Sequence, residues 1–449
     1  MNSLLGEGSY GKVFSKHKND KKLAIKHIQN SQNSGIKNIP EINFLSFFFK
    51  SSPYIISMKQ IKVDDKKIKV YFNQADIDLR KYIKNNKIEK LQIKKIILEI
   101  LLALKSIHDA NVIHQDIKPE NILLFKQNKF YQSQLCDFGI SCFFNPFEKN
   151  IDIASTPYYR APEIYTQNYN KKIDIWALGT ILYELKTNKI LLSSLDNNIN
   201  KSILHTIYNI LPNECYPNDD IIKRDKNFFK KEIKKLKFEI EKNDEVYDLL
   251  INMLKIDPNE RYDVNQCLNH PYFNDLKELI NKSKKLIKIP NLIDVPIIQC
   301  NERKIMSELV KVIYNKKNDL KWYNDRILFQ SISLFDKFLN SKYVKKINND
   351  NEYEIIYDTS LIIASKNYAL SQPININNYK NKEKIIKWEK KLIFKILNGI
   401  TFYNNPYEII IKKTNKLTKD KIFNLLKIYL DNEKIKTIDD VIKIYLNNK

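Results

Sequence analysis

Three short strings in fixed order constrain this chain more than anything else in its 449 residues: His114-Gln115-Asp116, then Lys118-Pro119-Glu120-Asn121, and, sixteen residues after Asn121, Asp137-Phe138-Gly139. Any one of them could arise by chance, but not all three in this order and at this spacing. Asp116 can take a hydroxyl proton, and Lys118 lies two places on. Asn121 and Asp137 carry oxygens suited to hard cations. Together these parts suit transfer of a phosphoryl group. An aspartate in a turn is usually a cap, yet capping does not account for two in this register.

The length predicts two or three domains, and a hydrophobic content of 43% is enough for substantial cores. No apolar run approaches the roughly 20 residues of a membrane span, and the N-terminus lacks the basic-then-apolar pattern of a secretory signal. The five cysteines, Cys136, Cys142, Cys215, Cys267 and Cys300, are scattered and show no CxxC spacing. That argues for a reducing compartment and against zinc or a disulfide framework. The chain is expected to be intracellular, cytoplasmic or nuclear, not secreted and without a membrane partner. A net charge of +24 raises the question of nucleic acid. The lysines are spread along the whole chain, however, and rise with asparagine, isoleucine and tyrosine, as A/T-rich coding would produce. Nucleic acid is therefore not expected as a partner.

Upstream of the three strings, residues 6–13 read GEGSYGKV. On a strand–turn–strand, the backbone of Gly6, Glu7, Gly8, Ser9 and Gly11 could cover phosphates without side-chain obstruction. The spacing alone fits a dinucleotide site equally well. The next element is LAIK, a strand and not a helix, which selects the strand–turn–strand form. Only seven glycines occur, and five are Gly6, Gly8, Gly11, Gly139 and Gly179. Each is expected where backbone approaches a phosphate, turns with positive φ or packs closely.

Together with APE (161–163), DIWALG (174–179) and DPNER (257–261), these strings resemble the protein kinases. The resemblance implies a bilobal α+β fold over residues 1–275, with a small lobe at 1–75 and a large lobe at 76–275. It implies ATP as phosphoryl donor, Mg2+ as its metal and protein substrates as acceptors. Asp116 would be the base, Lys118 would neutralise the transferred group, and Asn121 and Asp137 would be the metal ligands. Lys26 would hold the nucleotide phosphates, oriented by Glu41, the sole glutamate between Lys26 and the next strands. Pro40 restricts the Glu41 helix to a start near residue 39 or 40 and leaves the preceding segment as a loop. Phe72, Asn73 and Ala75 would meet the adenine, with Val13, Ala24 and Leu123 sandwiching the ring. Lys118 two residues after Asp116 is similar to serine/threonine kinases, not tyrosine kinases. Glu163 and Arg261 would form a buried ion pair.

GEGSYGKVF, GIKNIPEINFL and STPYYRAPE resemble the cyclin-dependent kinases more narrowly. In that family three arginines grip a phosphate on the activation loop. The matching positions here are Pro40, Gln115 and a residue near Cys142, and the phosphoacceptor's place falls at about Ile151. Four matched losses imply activity that needs no loop phosphate. Thr156 matches a threonine that touches the catalytic aspartate and lysine, and Arg160 an arginine that favours proline after the target residue.

After a proline-punctuated linker (276–301), the patterns are helical. Leu328, Ile332, Phe335 and Leu339 form one stripe, and Ile385, Trp388, Leu392 and Ile396 another. Both are core faces whatever the function. The segments 302–313, 325–340, 360–374 and 382–399 resemble, in order, the helices of a cyclin box. The fold class is thus an α+β bilobal protein kinase fold followed by an all-α cyclin-box-like helical bundle (302–410), with two further helices in 411–449. The resemblance implies an Arg303–Asp336 pair between its first two helices. It also implies that Lys366 and Glu389 are presented to the Glu41 helix. The function this implies is a proline-directed serine/threonine kinase activated by its own box, in cis or in a swapped dimer. In the alternative, the C-terminal domain is an adaptor that recruits substrates or other kinases.

Overall fold

The computed structural model describes most of residues 3–31 and 52–144, all of 156–166, 169–192 and 238–287, and short pieces within 35–48 and 211–215. In the C-terminal third it describes 325–341, 350–368, 381–392 and a few isolated residues.

The small lobe is an antiparallel sheet of β1 (Leu4–Gly8), β2 (Gly11–Lys18), β3 (Lys21–Ser31), β4 (Gly35–Ile36), β5 (Met58–Val63) and β6 (Lys67–Asn73). The order is β1-β2-β3-β6-β5, with β4 added to the end of β3. Register puts Lys26 opposite Val13 and Val70, and Ala24 opposite Ser15 and Phe72. Directly opposed residues share a face and side chains alternate along a strand, so Val13, Ala24, Lys26 and Phe72 lie on one face. The segment before Glu41 is not wholly a loop: Gly35 and Ile36 pair with Ser31 and Asn30, because β3 runs on past its pairing with β6 and offers a free edge. Residues 37–40, where the Glu41 helix was expected to start, lie outside the described residues. Glu41, Ile42, Phe44 and Leu45 have helical backbone. Ile42, Phe44, Leu45 and Phe48 are buried.

Leaving β6, the chain crosses to β7 (Ile77–Asp78) and α1 (Leu79–Asn85), capped by Asp78, whose carboxylate accepts from the Lys81 N–H at 2.9 Å. The large lobe is built on two helices buried through most of their length, α2 (Lys90–Asp109) and α3 (Lys172–Thr187). Gly179 permits this packing, since a Cβ there would meet Met253 and Leu254 at 3.1 Å. A hairpin of β9 (Ile122–Gln127) and β10 (Phe130–Leu135) joins β7, and β8 (Val112–Ile113) pairs with β11 (Cys142–Phe143). Helices α4 (Tyr247–Met253), α5 (Val264–Leu268) and α6 (Lys277–Leu286) complete the lobe. The Ser283 hydroxyl of α6 lies 2.6 Å from that of Tyr54, which ties the helix to the lobe boundary.

In the C-terminal third, α7 (Asp325–Leu339), α8 (Asp350–Tyr368) and α9 (Lys382–Lys391) pack together. Leu328, Ile332, Phe335, Leu339, Ile385, Trp388 and Leu392 are all buried. The Phe338 ring meets Trp388 edge-on at 5.8 Å, and Phe335 meets Tyr357 at 5.7 Å. Helix α8 starts ten residues before the expected 360. It is buried on nearly every face from Ile355 to Ser365, so its sequence carries no one-sided stripe to mark its beginning. Arg303, most of 302–313 and residue 396 lie outside the described residues, as does the Lys366 side chain. Helix α9 lies alongside β4, the strand that leads into the Glu41 helix.

Candidate active site

Between the lobes, the Lys26 ammonium donates to the Glu41 carboxylate at 2.6 Å and to Asp137 at 3.0 Å. All three elements are fixed by packing. β3 is central in its sheet. The Glu41 helix presses Phe44 and Phe48 on the Phe138 ring at 6.4 and 6.0 Å. Phe138, fully buried, also meets the His114 ring at 4.9 Å. Burial alone would lower the Lys26 pKa, but the Glu41 and Asp137 carboxylates outweigh it and raise it above its ordinary value. Burial likewise opposes ionisation of Asp137, and Lys26 outweighs it, holding that carboxyl below the usual range. Lysine and aspartate are therefore both charged at neutral pH.

Around Asp116 the hydrogen bonds close a ring. Lys118 donates to the Asp116 carboxylate at 2.7 Å and to the Thr156 hydroxyl at 3.1 Å, and Thr156 donates to Asp116 at 3.0 Å. Asn121 donates through its amide nitrogen to the Asp116 carbonyl at 2.8 Å and carboxylate at 3.1 Å. That leaves the amide oxygen of Asn121 as its acceptor end. The loop is held from beneath by Asp174, 1% exposed, which accepts from the backbone N–H groups of His114 and Gln115 at 2.9 and 3.0 Å. His108 Nε2 lies 2.9 Å from the same carboxylate. Gln115 and Asp137 have φ of 70° and 64°. Such backbone costs a non-glycine residue about 1–3 kcal/mol and persists only where the surroundings impose it. Burial keeps the His114 pKa low, so its ring is a neutral prop.

The positions expected to meet the adenine are arranged as the register requires. Val13, Ala24 and Leu123 are half-buried, Phe72 is buried, Asn73 is exposed and Ala75 half-buried. Leu123 pairs with Asp78 at the lobe connection, so it approaches from the large-lobe side. Glu7 forms an exposed ion pair with Lys12 at 3.1 Å, and Gly8 is opposite Gly11. Ser9 lies outside the described residues. Gly11 has φ of 150°, and a Cβ would fall 2.3 Å from the His27 carbonyl oxygen, so glycine is compulsory there. At Gly6 a Cβ would meet nothing within 4 Å, so no contact inside the protein requires glycine there.

A family model described as "Protein kinase domain" matches residues 1–273. The chain belongs to the protein kinase family. It is also similar to the sporulation-specific mitogen-activated protein kinase SMK1 of Saccharomyces cerevisiae, 28% identical over 310 residues, covering 61% of this chain and 77% of the relative. The chain is a protein serine/threonine kinase, which uses ATP with a divalent metal and acts on protein substrates. Among the described residues, no helix of the kinase is long and apolar enough to cross a membrane.

Sequence reasoning placed the kinase's Lys26, Glu41, Asp116, Lys118, Asn121 and Asp137, and all six fall in the cleft. The expected Glu163–Arg261 pair forms, with Arg261 fully buried, donating to Glu163 at 3.0 Å and stacked on Trp176 at 4.9 Å. Asp174 was the omission. It lay in view in DIWALG, but its role depends on two backbone N–H groups about 60 residues away. Arg80 was also missed, because its partners come from three separate segments.

Proposed function

We propose that this kinase is cyclin-dependent-kinase-like, phosphorylates serine or threonine before proline, and is held active by its own C-terminal helical domain without a phosphate on its activation loop. Asp116 takes the proton of the acceptor hydroxyl as its oxygen bonds the γ-phosphorus and the bond to the bridging oxygen of ADP breaks. Lys118, hydrogen-bonded to that carboxylate, meets the charge on the transferred group. Lys26, fixed by Glu41, orients the donor's phosphates, and Val13, Ala24, Phe72, Asn73, Ala75 and Leu123 receive its base beneath the Gly6–Gly11 turn. Among the described residues no cluster of three His, Cys, Asp or Glu side chains could hold a metal unaided. Asn121 and Asp137 fit Mg2+, which commonly completes its shell with substrate phosphates and water. When bound, the ion would offset negative charge on the phosphates.

The observation that carries the regulatory part is the position of α9. It lies beside β4, directly ahead of the Glu41 helix, while Lys26 and Glu41 are already joined. Glu389 on α9 is fully buried. A tethered domain in that position acts at high effective concentration. The absence of loop phosphate control is supported at Gln115. Its amide donates to the Cys142 sulfur and accepts from the Tyr169 hydroxyl at 3.4 Å, so no guanidinium stands at either position. Ile151 and Pro40 lie outside the described residues.

The test compares phosphatase-treated full chain with a 1–288 fragment on Ser-Pro and Ser-Ala peptides. The expected result is activity in the full chain, little in the fragment, recovery on adding 289–449, and preference for Ser-Pro. Equal activity in fragment and full chain would remove the activating role. Loss of activity on phosphatase treatment would restore a phosphate requirement.

A further inference from the structure

Arg80 is a cation seated among acidic groups at the edge of the catalytic loop. Its Nε donates to Glu120 at 2.8 Å, and its two terminal nitrogens donate to Glu184 and to the Tyr159 hydroxyl. Tyr159 in turn donates to the second oxygen of Glu184 at 2.9 Å. Three segments therefore converge on the guanidinium carried by α1: the catalytic loop, the turn after Thr156, and α3.

Two of those partners border the place where an acceptor hydroxyl must reach Asp116. Glu120 lies between Lys118 and Asn121, both hydrogen-bonded to Asp116. Tyr159 follows Thr156, whose hydroxyl touches Asp116, and its N–H donates to the Thr156 carbonyl at 3.1 Å. The Glu120 side chain is 47% exposed, that of Glu184 only 3% and that of Arg80 16%. Without Arg80, two carboxylates and a phenol would form an acidic recess beside the peptide-binding edge. A buried carboxylate must be paired, and such a recess would take a cationic side chain from whatever peptide lay across it.

We infer that Arg80 is a specificity-determining residue: it fills from within an acidic recess beside Asp116, so the kinase gains nothing from a basic side chain near the target serine. The inference rests on Asp116 being where the acceptor hydroxyl binds, and not on the role of the C-terminal domain. Arg80 touches no reacting atom.

The experiment measures kcat/KM of the full chain on serine peptides carrying a single Arg or Ala at each position from four before to four after the serine. Wild type is expected to gain less than twofold from Arg at every position. Arg80→Gln, which removes the charge and shortens the side chain, is expected to gain about tenfold or more from Arg at one position. Adding Glu120→Gln to that variant should reduce the gain severalfold. Comparable kcat on the all-Ala peptide shows that acceptor binding at Asp116 persists, and loss of that activity in wild type would count against the underlying reading instead. Folded Arg80→Gln with an unchanged Arg/Ala ratio at all positions would overturn the inference. So would a wild-type preference for Arg that Glu120→Gln removes, a result that stands even if Arg80→Gln does not fold.

Discussion

At the residue scale, this kinase depends on a few charges whose partners are fixed. Lys26 joins Glu41 and Asp137 across three elements, so Lys26→Met breaks two contacts at once. Single-turnover transfer to a Ser-Pro peptide is expected to slow by about 10²–10³-fold, the usual scale for losing one preorganised charge. A loss below tenfold would show that Lys26 does not orient the donor. Arg261 is a structural counterpart. Arg261→Ala leaves Glu163 buried without its cation and is expected to cost about 3–5 kcal/mol, read as a fall in the urea midpoint. An unchanged midpoint would mean that the pair is dispensable.

At the element scale, α2 and the β9–β10 hairpin meet through Glu99, 4% exposed, whose carboxylate accepts from the Ser133 N–H at 2.7 Å. Burial raises its pKa to about 7 from an ordinary 4.5, with the Ser133 hydrogen bonds and Lys95 only partly opposing. A raised folded-state pKa means that stability is fully present below about 4.5 and is lost as pH rises through about 7. Glu99→Gln keeps an acceptor for Ser133 but has no proton to lose. It should match wild type at pH 4 and melt several degrees higher at pH 8, by up to about 3 kcal/mol at 1.36 kcal/mol per pH unit. Parallel melting curves at the two pH values would show that Glu99 does not titrate on folding.

At the scale of the whole molecule, the buried apolar side chains of both lobes and of α7–α9 form one connected cluster. The C-terminal helices therefore pack against the small lobe where α9 meets β4. Glu389→Arg places a cation where a fully buried carboxylate sits on α9, next to β4. Activity of that full-chain variant is expected to fall at least tenfold, while Arg261→Ala measured below its unfolding midpoint should retain activity. Wild-type activity in a folded Glu389→Arg variant would detach α9 from control of the Glu41 helix.

By itself the sequence determined the chemistry. His114 to Asn121 and Asp137 to Gly139 are local strings that resemble those of the protein kinases, so their purpose is readable without a fold. Glu41 was legible by elimination, and the stripes of α7 and α9 by their one-sided apolar spacing. What needed the tertiary structure was any role defined by distant partners. Asp174 holds the catalytic loop through backbone groups that carry no sequence identity, and Arg80 gathers Glu120, Tyr159 and Glu184 from three segments. β4 forms because β3 offers an edge there, and the start of α8 is hidden because burial on all sides erases periodicity. Local spacing encodes what a residue can do chemically; which residue it meets is decided only when the core closes and brings sequence-distant charges within a few ångströms.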